Sequence, residues 1–492
     1  MGRTRSDPAL AMLGPMRCSL ILGTFALLSL LPAQDLAAKV DALAKPLADA
    51  GLAASLVVGV IDGDTLLVRG YGKVGENAPD GTTLYEIGSV SKVFTGILLA
   101  DAVTRGVCKL DDPVQSLLPE GVTMPKWEAT PVLLWHLSTH TSGLPRLPNM
   151  KGSDPSDPYA HFDEAKLFAE VGKARVRWEP GSKYEYSNFA VGLLGHLLAK
   201  KQGFASFEAL LKERITTPLG MQDTTVALAD AQKARMAPPR NADGDPEHLW
   251  DLAALAGAGG IRSSVADMLK FARAQFRPAG PLATLDDVRQ PKRSEPSPAD
   301  ALDEPIDLAQ QKRHDGANGI AMGLGWHFAR DGKTRWHNGG TGGFHSYIAV
   351  VPGDRRAVCV LSNTTSGLID QVGERILQHL YGMAVAPPKV EIPVAVERAQ
   401  LQRLVGKYRM EQGGAMFTIT LDDRGLSAQL TGQQACRVHA KSPTQFVYRV
   451  VDASLTFELE GDTAKVLVLH QNGEDMKCTR IEAEPAKKQD AK

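Results

Sequence analysis

An α+β fold, an antiparallel sheet flanked by helices with an all-helical lobe and then a small antiparallel β-barrel, is what this 492-residue sequence predicts. Three observations carry that expectation. Strand-like segments stand at both ends of the first 385 residues with helical periodicity between them, so one sheet is assembled from both ends and the middle forms a second lobe. After Pro387-Pro388 the pattern turns to short strands such as "FTITLD", "LSAQLT", "QFVYRVV", "LTFELEG" and "AKVLVLHQ", with turn signals about every ten residues, which suits a barrel or sandwich. Beyond the first 31 residues no apolar run approaches the roughly 20 residues of a membrane helix.

Taken in order, Arg3, Arg5 and Arg17 precede the apolar run Ser19 to Leu31 and then Pro32 and Ala33, the pattern of a signal peptide over 1–33. Its removal leaves an exported chain, periplasmic or secreted, without a transmembrane anchor. "LVVGVIDGDTLLVRGY" (56–71) reads as a hairpin around Asp62-Gly63. Val90, Val93, Phe94, Ile97, Leu98 and Val103 recur at steps of three and four, one buried helix face, and Gly88 supplies the corner before it. "FASFEALLKERITTPLG" reads as a helix ending at Pro218, and "SVADMLKFARAQF" as another. Residues 290–318, polar and proline-containing, read as an exposed loop. Strands resume at Met322, and a helix covers Gln371 to Tyr381. The predicted units are a leader (1–33), a first domain (34–385), a linker (386–396), an antiparallel β domain (397–483) and a disordered tail (484–492).

Composition narrows the partners. Fifty-five basic against 56 acidic residues give a net charge of −1, and no polybasic block offers a surface for nucleic acid. The expected partner is a small molecule or peptide held in a pocket, and oligomeric state is left open. Without the leader, Cys108, Cys359, Cys436 and Cys478 remain, too few for a disulfide scaffold. Cys436 and Cys478 share the C-terminal segment and are candidates to pair in an oxidising compartment. His136 and His140 stand four apart, but no glutamate adjoins them and no third ligand is evident, so the reading is structural and no metal site is expected. "GAGG" (257–260) lacks the preceding parallel strand of a dinucleotide loop, and no cofactor is implied.

Chemistry enters with a lysine inside the buried helix. Burying Lys92 is costly unless it has a partner, and on a helix Ser89, three residues back, faces it whereas Ser91 does not. Ser89 is therefore the candidate nucleophile and Lys92 its partner. Taken alone, the four residues also suit a capping serine and a lysine that reaches solvent. In "PGSKYEYSN", Tyr186 beside the Lys92 ammonium would gain phenolate character and act as base, and Asn188 would hold Lys92 and a substrate carbonyl. The alternative makes Ser187 or Asn188 a helix cap and Tyr186 a packing residue. In "WHNGGTGGFHSY", a strand running through His337, Asn338, Gly339 and Gly340 offers an edge to substrate, and the N–H groups of Ser89 and Gly340 form an oxyanion hole.

These three segments in this order resemble the serine β-lactamase and penicillin-binding-protein family, in its class C branch with the related D-aminopeptidases, D,D-carboxypeptidases and esterases. The resemblance extends through "KLDDPVQSLLPE", "LLWHLSTHTSGLP", "PLGMQDT", "GAGGIRSSVADMLKFA", "MGLGW" and "TGGFHSYIAVVP", about residues 40 to 382, and the tail resembles the lipocalin-like domain that follows many such hydrolases. It implies a β-lactamase/transpeptidase-like fold and hydrolysis of an amide or ester through a Ser89 acyl-enzyme. Catalytic roles fall to Ser89, Lys92 and Tyr186, with the formal base open between the last two, and substrate binding to Asn188, His337, Asn338, Gly339 and Gly340. His337 and Asn338 stand where β-lactamases carry Lys and Thr, which leaves β-lactam, D-amino-acid peptide and ester open as substrates, as it does an acylating penicillin sensor or scaffold. An ordinary histidine there would gain charge, and affinity for carboxylates, as pH drops through roughly 6.5.

Overall fold

The structure, a computed structural model, describes residues 33–276, 298–316, 321–390 and 393–481, apart from positions 412, 413, 432, 434, 452 and 472. The leader expected at 1–33, apart from Ala33, and the tail expected at 484–492 lie outside the described residues.

Alternation along the first strand explains the central layer. β1 (Ser55–Asp62) turns at Gly63, where φ is +58°, into β2 (Thr65–Gly72). Val57 and Ile61 face the helical lobe, whereas Leu56, Val58 and Val60 face the other side, and all are buried. A strand covered on both faces carries an almost continuous apolar run. β3 (Leu84–Glu86) pairs apart from this sheet with β4 (Arg262–Ser264). The sheet continues with β5 (His314–Asp315), β6 (Ala321–Met322), β7 (His327–Phe328), β8 (Arg335–Gly340), β9 (His345–Val351) and β10 (Arg356–Ser362). Its order is β2-β1-β10-β9-β8-β7-β6-β5, antiparallel throughout, with Gly59 of β1 opposite Cys359 of β10. The two ends of the first domain thus meet in one sheet, as the sequence predicts.

On one face lies α1 (Ala33–Asp49). On the other is the lobe: α2 (Ser91–Thr104), α3 (Leu134–Ser138), α4 (Glu164–Lys173), α5 (Asn188–Lys201), α6 (Phe207–Leu211), α7 (Asp230–Lys233), α8 (Val265–Ala274) and α9 (Asp303–Ala309). The outer layer is completed by α10 (Leu368–Leu380), whose Ile369, Val372 and Ile376 pack with Leu36, Val40 and Leu43 of α1. Instead of presenting one buried face, α2 is buried from Ser91 to Ala102 on all sides, because α5, α8, α9 and the turn Ala253–Ala258 enclose it. Burying each of its Val, Leu, Ile and Phe side chains stabilises the lobe by roughly 1.5–3 kcal/mol.

Two other expectations are corrected. Within 290–318, residues 290–297 and 317–318 fall outside the described residues, but Pro298–Leu302 and α9 are helical, and Leu302, Ile306 and Ala309 enter the core against α2. Steps of four and three put those residues on one face, and that period outweighs the polar composition around them. The helix expected to end at Pro218 is α6 followed by a π-helical turn, Lys212–Thr216.

After α11 (Arg398–Gln402) comes a closed barrel of eight antiparallel strands in sequence order, from β11 (Gly406–Met410) to β18 (Glu474–Ile481), which pair with one another. Eight strands enclose just enough room for side chains. Tyr408, Phe417, Phe446, Leu455, Phe457 and Leu467 fill it, and Arg480 spans one end, donating to the carbonyls of Val405 at 2.6 Å and Ala464 at 3.0 Å. No disulfide joins Cys436 to Cys478. Cys478 Sγ is buried in β18, and Cys436 lies on a strand (Cys436–Ala440) that does not neighbour it.

Candidate active site

The turn Gly88–Val90 carries the chain from β3 into α2. Gly88 has φ of +48°, and a Cβ there would lie 2.8 Å from the Gly340 amide nitrogen, so only glycine lets β8 come this close. Gly339 is equally confined, since a Cβ would lie 2.1 Å from the Ile87 carbonyl oxygen and 2.8 Å from the Ser89 nitrogen. The backbones of Ser89 and the β8 terminus are thereby held side by side.

At the second position of α2, one turn beyond Ser89, Lys92 Nζ lies 2.9 Å from Ser89 Oγ and donates to the Ala258 carbonyl at 2.6 Å. Ser89 is half-buried and open to a cleft, whereas Lys92 is 0 % exposed. Ser91, the other serine of the segment, accepts from the Ile261 N–H at 3.1 Å and faces the core. Burial, with the Arg146 guanidinium adding to it, drives the Lys92 pKa well below its ordinary 10.5. A lysine whose pKa is lowered in this way can give up a proton and turn a lone pair to Ser89 Oγ while still donating to Ala258.

Tyr186 closes the group. Lys92 Nζ is 4.8 Å from its ring centroid, the His140 ring lies alongside at 4.3 Å, and the phenol interacts with Ser89. Burial raises its pKa, and the smaller opposing effect of Ser89 does not restore it. Burial therefore works against the expected Tyr186 phenolate, and in the same way against the Lys92 ammonium that was to favour it. His140, in the left-handed region at φ +61°, accepts the Ser187 N–H at Nδ1 (3.1 Å). His136 Nδ1 accepts the Leu133 N–H at 3.0 Å, so both histidines brace the backbone. Ser187 caps α5, its Oγ accepting the Ala190 N–H at 3.0 Å. Asn188 does not hold Lys92. Its side chain interacts with Tyr159, and its Oδ1 is buried without a partner at the cleft, where Tyr159, Trp250, Leu252 and Gly340 also stand.

On β8, His337 and Gly339 point toward Ser89, while Asn338 points to the opposite face, donating to Asp370 Oδ2 of α10 at 2.7 Å. Asp370 also holds His345 Nε2 at 2.8 Å. Side chains alternate along a strand, so Asn338 cannot share the face of His337. Its expected place in substrate binding is corrected to a brace between sheet and helix. His337 is 1 % exposed, its Nδ1 lies 2.5 Å from the Asn338 carbonyl oxygen, and its Nε2 is buried without a partner.

A family model described as Beta-lactamase matches residues 40–382. The chain belongs to the beta-lactamase family. The D-alanyl-D-alanine-carboxypeptidase/endopeptidase AmpH of Escherichia coli (strain K12) is 30 % identical over 313 residues, 61 % of this chain and 77 % of that protein. A beta-lactamase of the same organism is 28 % identical over 328 residues, 60 % of this chain and 79 % of that protein. A crystal structure of a beta-lactamase/D-alanine carboxypeptidase from Yersinia pestis, complexed with citrate, matches with a TM-score of 0.58 at 26 % identity, covering 71 % of this chain and all of that one. Among the described residues no helix is long and apolar enough to cross a membrane.

For this member of the beta-lactamase family, the charge on its third motif is the point of departure. Burial, then the neighbouring His327 and Lys92, drive the His337 pKa well below its ordinary 6.5, which works against the expectation of a carboxylate receptor that gains charge near that pH. Between about pH 7 and about pH 5.5, affinity for a carboxylate-bearing substrate should change no more than affinity for a neutral ester. Paired KM measurements check this; a selective gain for the carboxylate on acidification would restore charge to His337.

The family motifs leave out Ala258, Tyr159, Trp250 and Arg146. The glycines around Ala258 are the one signal available beforehand: a Cβ on Gly257 would meet Thr95 Oγ1 and the Gly195 Cα, so the turn needs small residues to reach α2. Arg146 follows "HTSGLP"; its guanidinium carbon is 5.0 Å from the Tyr186 centroid, and among the described residues it makes no ion pair.

Proposed function

We propose that this hydrolase cleaves an amide or ester, a β-lactam ring or a D-amino-acid peptide bond, through an acyl-enzyme on Ser89. The observation that carries the reading is the fully buried Lys92 amine, its pKa driven well below 10.5 by burial, 2.9 Å from a serine oxygen that opens on a cleft. A serine hydroxyl needs a base to become a nucleophile. Lys92 takes the Ser89 proton as Oγ bonds to the substrate carbonyl carbon, and the negative oxygen sits between the N–H groups of Ser89 and Gly340. Removing one such donor typically costs on the order of 10²–10³ in turnover. Collapse of that intermediate breaks the bond to the leaving nitrogen or oxygen, which receives the proton from the Lys92 ammonium through the Tyr186 hydroxyl. Water then attacks the ester, giving its proton to the same pair, and releases the acid and free Ser89. The apolar run before Pro32 supports export of the protein.

The names of the relatives, a beta-lactamase and a D-alanyl-D-alanine-carboxypeptidase/endopeptidase, support both amide substrates. Purified protein should be given a chromogenic cephalosporin, a peptide ending in D-Ala-D-Ala and a short-chain ester, with a trapped acyl group located by peptide mass spectrometry. An adduct on Ser89 that turns over is the expected result. An adduct elsewhere, or inertness to all three, removes the reading, and an adduct that persists makes the protein an acylating sensor.

With burial working against a charge on His337, Arg146, 5.0 Å from the Tyr186 ring centroid, is the cation we assign to anionic substrates. Arg146→Gln should lower kcat/KM for carboxylate-bearing substrates about tenfold to a hundredfold more than for the neutral ester, the size of a charge-assisted hydrogen bond. An unchanged ratio would take Arg146 out of recognition.

A further inference from the structure

The segment from Pro239 to Trp250 is gripped from both sides. Toward the active site, a Cβ on Gly343, in the turn between β8 and β9, would fall 2.3 Å from Pro239 Cβ, and one on Gly342 would fall 2.9 Å from Trp250 Nε1. The Arg240 N–H bridges the carbonyls of Gly343 (3.2 Å) and Asn363 (3.0 Å), and Trp250, its N–H held by Glu86 at 2.9 Å, lines the cleft with Ser89 and stands edge-on to Tyr159.

From the other side comes the barrel. The tip of the segment closes on itself, the Asn241 side chain accepting the N–H groups of Asp243 and Asp245 and donating to Asp245 Oδ2 at 3.3 Å. Arg437 Nε donates to Asp243 Oδ2 at 3.1 Å, His439 Nε2 lies 2.9 Å from Asp243 Oδ1, and Arg424 pairs with Asp245. Arg437, His439 and Asp243 have side chains 13 %, 12 % and 19 % exposed, so their contacts are shielded from solvent and salt, whereas the Arg424–Asp245 pair is exposed. Next to them the Gly367 N–H donates to the Arg449 carbonyl at 3.2 Å. A filled barrel interior leaves the outer surface of the domain to meet the hydrolase, here and around Gly367 and Val451.

We infer that the C-terminal barrel is a positioning domain for the active site: Arg437, His439 and Arg424 hold Asp243 and Asp245, and through them Trp250, as one wall of the Ser89 cleft. The barrel contributes no reacting group. Its effect falls on substrates large enough to lean on Trp250 and Tyr159, and spares those that reach only Ser89 and the oxyanion donors.

The activity arm of the test rests on the proposed hydrolase reading, and the exchange arm does not. Full-length parent, Asp243→Ala, Arg437→Gln and the conservative Asp243→Glu are compared by hydrogen exchange and by kinetics on a bulky cephalosporin and a small acetyl ester. Two variants from opposite sides of the contact guard against one that fails to fold. Amides of 239–250 should exchange about tenfold faster in Asp243→Ala and Arg437→Gln, with β1 and the barrel strands unchanged, and Asp243→Glu should recover most of the protection. KM for the cephalosporin should rise about tenfold with kcat within about twofold, and the ester should be unaffected. Unchanged exchange at 239–250, equal effects on both substrates, or faster exchange with no kinetic effect would each overturn the inference. Parent protein inert to both substrates would refute the hydrolase reading, and the exchange result alone would then decide whether the barrel holds the segment.

Discussion

Ser89→Ala protein is expected to lose hydrolysis by on the order of 10⁴–10⁶-fold, as nucleophile removal does in other serine hydrolases, while melting at the parent temperature. The substitution removes one half-buried oxygen from a 3₁₀ turn and leaves the Lys92 bond to Ala258 in place. Ser91→Ala should do the reverse. Its Oγ is the acceptor for the buried Ile261 N–H, so its loss costs about 1–3 kcal/mol of stability and spares the chemistry. Turnover assays and thermal melts on the two proteins give opposite patterns. Retained activity in Ser89→Ala, or an acyl adduct found on Ser91, would exchange the roles of the two serines.

Lys92→Met carries the second large effect, a fall in kcat/KM on the order of 10²–10⁴-fold for loss of a general base. In the parent, the competent form is the neutral amine, so kcat/KM should fall as pH drops through the lowered Lys92 pKa and should not be lost on the alkaline side for this reason. The same shift governs stability. A lysine whose folded pKa is depressed binds fewer protons folded than unfolded at every pH between its folded value and the ordinary 10.5. Over that window unfolding takes up a proton, and the parent gains stability relative to Lys92→Met as pH rises, by up to about 1.4 kcal/mol per pH unit. Denaturant titrations of both proteins between neutral pH and about pH 10 read the difference directly. A flat difference would mean that Lys92 is charged in the folded protein, and Tyr186 would then have to be reconsidered as the base. Because Lys92 and Tyr186 pass one proton between them, adding Tyr186→Phe to Lys92→Met should cost little more than the first change alone.

What was legible beforehand is what nearby residues decide among themselves. Ser89 and Lys92 are one helical turn apart, so their meeting follows from helix geometry once Gly88 and the apolar period announce the helix. The Asp62-Gly63 hairpin and the all-β character after Pro387-Pro388 are likewise set by period-two alternation and turn residues. Alternation could also have turned Asn338 away from His337. Charge states could not be read this way. The Lys92 pKa is lowered because segments far along the chain, Ala258 among them, close around it, and that of His337 because β7, α2 and the Tyr186 loop bury it beside other nitrogen bases. Desolvation depends on everything that excludes water from a group, and that sum exists only once the chain is packed. Arg146 over Tyr186, Trp250 against Gly342 and the barrel's hold on Asp243 are meetings of the same kind, between residues tens to hundreds of positions apart. The residue types and local spacing determined by sequence name the chemistry this protein can perform; only the tertiary structure decides which groups carry the proton and which wall receives the substrate.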